Sequence, residues 1–198
     1  MTSTAVARPP ARAAAPTEVV RLTHVPEDLA EQFLAVYSAA FAPLATLSAA
    51  RQALTDDEFR AEMSDDRVTK FVAFDQDGEA GSMAIVATDL SLVPWISVPY
   101  YATRFPEHYA RGAIYYVNAV VVRPDRQGGP WSKVVLEELY RFVAENRAVM
   151  AFDCCGYNVE VVKLVETTTR ASHRIAHVET AELDQQRYYA FDMAGGLR

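Results

Sequence analysis

The residues best suited to chemistry lie between Tyr115 and Lys133. Tyr115-Tyr116-Val117-Asn118-Ala119-Val120-Val121-Val122 is a run of Val and Tyr, the composition of a buried strand. Pro124 ends it. Gln127-Gly128-Gly129-Pro130-Trp131-Ser132-Lys133 follows. Its two glycines can take backbone conformations that a side chain forbids, and its proline suits the first turn of a helix, where a missing N–H is no loss. Val134, Val135, Leu136, Leu139, Phe142 and Val143 then recur at helical spacing. A strand, a tight turn and a helix start, in that order, aim free backbone N–H groups and the positive end of a helix dipole at one spot. That spot suits an anion, above all a phosphate. Pro130 offers no N–H, but Gln127, Gly128, Gly129, Trp131, Ser132 and Lys133 keep theirs, and Ser132 adds a hydroxyl.

The elements that must position this turn read as one succession. Glu18–Val25 forms a first strand. Pro26-Glu27-Asp28 opens a helix to about Phe41, and a second helix covers Thr55–Met63, where Thr55 and Glu58 make a capping box. Lys70–Phe74 and Ala80–Leu90 are strands joined by a hairpin turn in which Gly78 supplies a positive φ. Residues 91–112 carry Pro94, Trp95, Tyr100, Tyr101, Phe105 and Tyr109 and read as an ordered aromatic flap. Ala113–Val122 is the strand before the turn, and Val149–Cys155 a further strand. Gly156-Tyr157-Asn158 opens a helix to about Ala171. Ile175–Leu183 and Arg187–Met193 finish the chain as an antiparallel strand pair.

The turn and this order resemble the GCN5-related N-acetyltransferase family. There a strand ends in Val-x-Pro, a loop of the form Gln/Arg-x-x-Gly-x-Gly/Ala follows, and a long helix begins. Val122-Arg123-Pro124, Gln127 and Gly128 match, whereas Pro130 and Ser132 stand where the motif has Gly and Gly/Ala. The resemblance covers residues 18–193. It implies an α/β (α+β) fold, with a mixed, mostly antiparallel central sheet flanked by helices. It also implies that acetyl-CoA or another acyl-CoA is the co-substrate. The pantetheine arm would pair with Val120, Val121 and Val122, and the phosphates would sit at Gln127, Gly128, Gly129, Trp131, Ser132 and Lys133. Asn158 matches the Asn that opens the following helix. Arg123, Arg126 and Lys133 are candidates to hold the CoA phosphates or to meet an acidic acyl-carrier protein.

Amide formation from a thioester needs a neutral amine, hence something to take its proton. It also needs a stabilised oxyanion and two substrates held together. In the resembling enzymes a Glu four residues before the final Val of the strand serves as base, and Asn118 stands there. Asn can position an amine or a water but is no base near neutral pH. The usual acid, a Tyr seven residues after the helix-opening Asn, is replaced by Val165. Tyr116, two residues before Asn118 and so on its strand face, and Asp153 are the candidate replacements. Asp153 is the better base if it is buried among apolar groups. The resemblance implies an acyltransferase that moves an acetyl or longer acyl group from CoA to an amine. An acyl-carrier-protein donor, as in N-acyl amino acid and acyl-homoserine lactone synthases, or a non-catalytic acyl-CoA-binding module would fit the same fold. The acceptor would be a small molecule or a peptide amine, and a homodimer is compatible with this reading.

Composition bounds the rest. The chain has 198 residues, half apolar and about a quarter charged, with a net charge of −7. An acidic chain does not favour nucleic acid, which usually needs a basic face, and no apolar run is long enough to span a membrane. Residues 1–17 are Ala-, Pro- and Arg-rich without acids and read as a disordered tail before a domain over 18–198. Cys154 and Cys155 are adjacent, which excludes an ordinary disulfide and suits reduced thiols and a cytoplasmic setting. His24, His108, His173 and His177 lack metal-ligand spacing with them, so no metal is expected.

Overall fold

The computed structural model describes residues 15–192 and residue 194. Five strands lie in the order of the chain: β1 (Pro16–Leu22), β2 (Val68–Asp75), β3 (Ala80–Ala87), β4 (Ile114–Val122) and β5 (Val149–Ala151). β1 to β4 are antiparallel neighbours, and β5 joins β4 in parallel. The expected mixed, mostly antiparallel sheet is present. β2 and β3 are buried almost throughout, because helices cover both faces of the sheet.

One face carries α1 (Glu27–Phe41) and α3 (Asp56–Ser64), with the single turn α2 (Leu44–Leu47) between them. Phe33, Leu34, Tyr37, Phe59 and Met63 pack there on Val72, Met83, Ile85, Ala119 and Val121. The capping box at the start of α3 is formed: the Glu58 N–H donates to Thr55 Oγ1 at 3.3 Å and the Thr55 N–H to Glu58 Oε2 at 2.7 Å. The opposite face carries α6 (Trp131–Glu145), whose Trp131, Val135, Leu139 and Tyr140 fill the space over Phe71, Ala73, Ala84, Val86 and Tyr115. At the β2–β3 hairpin, Gly78 has φ 79° and Asp75 Oδ1 accepts from the N–H groups of Asp77 and Glu79.

Four expectations change. The aromatic segment 91–112 is more regular than a flap, with α4 (Val98–Arg104) and α5 (Pro106–Ala110) in it. β5 has three residues rather than seven. The helix expected from Gly156 to Ala171 is broken into α7 (Gly156–Glu160) and α8 (Leu164–Ser172) by Lys163, whose φ is 58°. Residues 175–192 form no strand; Met193 lies outside the described residues. Apolar residues alone do not make a strand pair, since each strand needs a partner edge and a face to bury. Here Tyr188, Tyr189 and Phe191 are exposed. Of the expected tail, residues 1–14 lie outside the described residues, and Pro16 and Thr17 already belong to β1.

Candidate active site

β4 and β5 stay together only briefly. Their ladder runs from Ile114–Val149 through Tyr115–Met150 to Tyr116–Ala151 and stops. From Val117 to Val122, β4 is paired with β3 on one side, and no strand among the described residues pairs with it on the other. That edge presents main-chain N–H and C=O groups in the spacing an extended partner with amide groups would match.

At the start of this free edge β4 bulges. Ala119 is opposite Ile85, yet Val117 is opposite Val86, so Asn118 is an extra residue on β4. A bulge re-aims a side chain, and here it turns Asn118 toward α3. Asn118 Nδ2 donates to Glu62 Oε1 at 2.7 Å. Glu62 Oε2 and Asn118 Oδ1 are both buried and accept no hydrogen bond. Burial pushes the Glu62 carboxyl up to about 7, against the pull of the Asn118 bond and of the Lys70 charge. Lys70, on β2, is fully buried and donates to the main-chain carbonyls of Thr23 (2.6 Å) and Asp65 (3.1 Å). Burial lowers it to about 8, opposed chiefly by the Glu62 charge. Sequence reasoning missed Glu62. Its signal was present: Phe59, Glu62 and Met63 have the spacing of one helix face, and an acid on the apolar face of an amphipathic helix is unusual.

The other two candidates meet beyond the end of β5. The buried Tyr116 hydroxyl donates to Asp153 Oδ1 at 2.6 Å, and Trp95 Nε1 donates to the same oxygen at 3.3 Å. Trp95 and Tyr101 each set a ring edge-on to Tyr116. Trp95 and Tyr101 are therefore beside the residue at which the β4–β5 ladder ends. Desolvation, with the Asp153 carboxylate beside it, holds the Tyr116 phenol far above its ordinary range. Tyr116 is thus a fixed neutral donor. Asp153 is exposed, so the burial on which its role as a base depended is not found. Cys154 and Cys155 are half-buried free thiols. Burial and Asp153 push Cys154 up, away from a thiolate nucleophile.

At the far end of β4, the turn has the conformation its glycines permit. Gly128 has φ 75°, and Gln127, Gly128, Gly129 and Pro130 are exposed. α6 begins at Trp131 with no acid in its first turn, and its N-cap, Pro130, has no capping side chain. Trp131 contributes in a way the sequence did not indicate. Its ring is 1% exposed and fits against Gly81, where an added Cβ would lie 2.3 Å from the ring. The Trp131 carbonyl accepts from Ser82 Oγ at 2.9 Å, and the Arg126 guanidinium lies 5.2 Å from the ring centre. The basic cluster is largely neutralised within the protein: Arg126 pairs with buried Asp75, Arg123 with Glu79 and Asp125, and Lys133 with Glu137. Val121 is buried, Val120 and Val122 are half-buried, and Asn158 is half-buried in α7.

No protein-family model and no curated protein matches the sequence. Solved structures do match the fold. One, described as a possible acetyltransferase from Clostridium difficile 630, superposes with a TM-score of 0.56 over 88% of this chain and 98% of the other, at 10% identity. A mutant of the BH1408 protein from Bacillus halodurans gives 0.50 over 86% and 100%, at 14% identity. This is the fold of the GCN5-related N-acetyltransferases. Among the described residues no helix is long and apolar enough to cross a membrane.

Proposed function

We propose that the chain is an N-acyltransferase that moves an acetyl or longer acyl group from a CoA thioester to an amine by direct attack. The observation that carries this is the parting of β4 from β5 at Tyr116, which leaves the edge from Val117 to Val122 open between the Gly128–Gly129 turn and the Asn118–Glu62 and Tyr116–Asp153 pairs. In this reading the amides of the pantetheine arm pair with the edge at Val120, Val121 and Val122. The pyrophosphate lies on the N–H groups of Gly128, Gly129, Trp131, Ser132 and Lys133, that of Gln127 donating to the Pro124 carbonyl at 3.4 Å. Asn158 flanks the arm from α7. The thioester then comes to rest near Asn118, with Tyr116 and Asp153 beside it and the acceptor entering past Trp95. Main-chain donors do most of the phosphate binding, because Arg123, Arg126 and Lys133 already face acids. The same pairing leaves little free positive charge to receive an acidic carrier protein, which favours CoA as donor.

The test is CoA and acetyl-CoA binding by calorimetry, followed by thiol release from acetyl-CoA in the presence of primary amines. Gly128→Val together with Gly129→Val should weaken CoA binding at least tenfold, about 1.4 kcal/mol. The φ of 75° at Gly128 strains any side chain, and both side chains would crowd the phosphate. Absence of CoA binding by the wild type, or unchanged affinity in a folded double variant, would refute the site. Binding without thiol release would make the chain a non-catalytic acyl-CoA-binding module.

A further inference from the structure

We propose that Glu62, brought to the bulge of β4 by α3, is the general base of this transfer and that Asn118 is its positioning partner. The inference rests on the acyltransfer reading of the groove and assigns a group that neither the turn nor the strand motif contains.

Three observations converge on Glu62. First is place. Asn118 sits at the start of the stretch where β4 has lost β5, and the 2.7 Å bond from Asn118 Nδ2 puts the carboxylate there too. The strand supplies an amide where a base is needed, and the helix supplies the acid. Second is hydrogen-bond demand. With Glu62 ionised, as a base must be, Glu62 Oε2 and Asn118 Oδ1 are two buried acceptors with no donor. Buried polar atoms are rarely left so, and two acceptors side by side call for a group rich in N–H. A primary ammonium has three N–H donors and a positive charge, so the acceptor itself fits the demand. Lys70 does not meet it, being committed to the carbonyls of Thr23 and Asp65.

Third is electrostatics. The charged and titratable groups bearing on Glu62 are Lys70 from β2, Tyr37 from α1, Glu58 from α3 itself and Asp65 just after it. Glu58 is bound to Arg51 and Asp65 to Arg67. Tyr37 accepts the Leu54 N–H at 2.9 Å. Burial keeps the carboxyl protonated to about pH 7, the range in which a base can both accept a proton and release it to solvent. Asp153 is the rival acid, but it is exposed and already holds Tyr116 and Trp95.

The step balances without a further reagent. The ammonium gives one proton to the Glu62 carboxylate. The freed nitrogen lone pair forms the C–N bond at the thioester carbonyl, and the π electrons move to oxygen. When they return, the C–S bond breaks. The second nitrogen proton goes to the departing thiolate to give CoASH, and Glu62 returns its proton to solvent.

The experiment measures kcat/KM for acetyl-CoA between pH 5.5 and 9 by thiol release. The acceptor is whichever of a diamine, an aminoglycoside, an amino-acid amide and a short peptide the wild type acetylates fastest. CoA affinity is measured alongside. Glu62→Gln keeps the shape and an acceptor for Asn118. It should abolish the acidic limb near pH 7 and slow turnover at pH 7.5 by about 10²-fold or more, with CoA affinity unchanged within twofold. Glu62→Asp should restore a limb, and Asp153→Asn should retain it. A limb that persists in Glu62→Gln at near wild-type rate, or one lost in Asp153→Asn, overturns the assignment. Failure of the acyltransfer reading is seen separately, as absence of CoA binding and thiol release in the wild type. If Glu62→Gln does not fold, Asn118→Ala replaces it: the limb should shift by at least half a pH unit, and an unmoved limb counts against the pair.

Discussion

Replacing Gly81 by alanine tests whether the Trp131 ring fixes the Gly128–Gly129 turn to the sheet. An ideal Cβ at Gly81 would stand 2.3, 2.4 and 2.7 Å from three carbons of the Trp131 ring. Carbon–carbon contacts are favourable only at about 3.5–4 Å, so the ring or β3 must move by about 1 Å. Neither has room. The ring is 1% exposed, the Arg126 guanidinium covers it, and Gly129 approaches its pyrrole edge so closely that a Cβ there would lie 3.4 Å away. β3 is bonded to β2 and β4 on its two sides. Overpacking of this kind costs about 1–3 kcal/mol, more where nothing can yield. We expect Gly81→Ala to sit at the upper end, near 3 kcal/mol, which for a chain of this size lowers Tm by about 6–12 °C. Thermal unfolding followed by circular dichroism measures it. Because Trp131 opens α6, CoA affinity should fall about tenfold in the folded fraction. Trp131→Leu, which removes the clashing ring, should cost much less in the Gly81→Ala background than in the wild type, a coupling of about 1–3 kcal/mol. A Tm within about 2 °C of wild type, or strict additivity of the two changes, would refute the wedge.

Two further predictions concern the polar clusters. Glu62 keeps its proton to about pH 7 in the folded chain against an ordinary 4.5, so the folded state binds the proton more tightly and stability falls as pH rises through that window. The gap of about 2.5, at about 1.36 kcal/mol per unit, is a cost of about 3 kcal/mol at pH 8. Lys70, lowered to about 8, loses its neighbouring charge in Glu62→Gln and offsets part of the gain. That variant should therefore be more stable than wild type by about 1–3 kcal/mol at pH 8 and little changed at pH 4.5; urea midpoints at the two pH values check it, and equal shifts at both would show that Glu62 is not desolvated. At the other cluster, Asp153→Ala leaves the buried Tyr116 hydroxyl without its acceptor, whereas Tyr116→Phe removes the hydroxyl itself. The first should cost about 1–3 kcal/mol and the second about 1 kcal/mol, with the double variant close to Tyr116→Phe; the reverse order in urea unfolding would mean that the bond is not formed in solution.

The strand, turn and helix from Ile114 to Glu145 were legible because each is decided locally. β-branched and aromatic residues make the strand, Pro124 stops it, Gly128 permits a positive φ, and the apolar spacing of α6 is visible in one dimension. The same holds for the Thr55–Glu58 capping box and the Gly78 hairpin. The ends were less legible. β5 shrank to three residues because pairing with β4 ends where the two part, and residues 175–192 carry Ile, Val, Tyr and Phe but have no edge to join. The candidate site was readable only along β4. Asn118 could be seen to be no base, but not what faces it. A bulge one residue long, set by the register of β3 against β4, turns Asn118 toward a helix more than fifty residues away in sequence. There Glu62 appears as one acid on an otherwise apolar face. Likewise Tyr116, Asp153 and Trp95 come from three separated segments, and the fit of Gly81 to Trp131 spans β3 and α6. Local conformation follows from residue type and spacing. Which side chains meet, and which polar atoms are cut off from water, is decided by the packing of elements on the sheet.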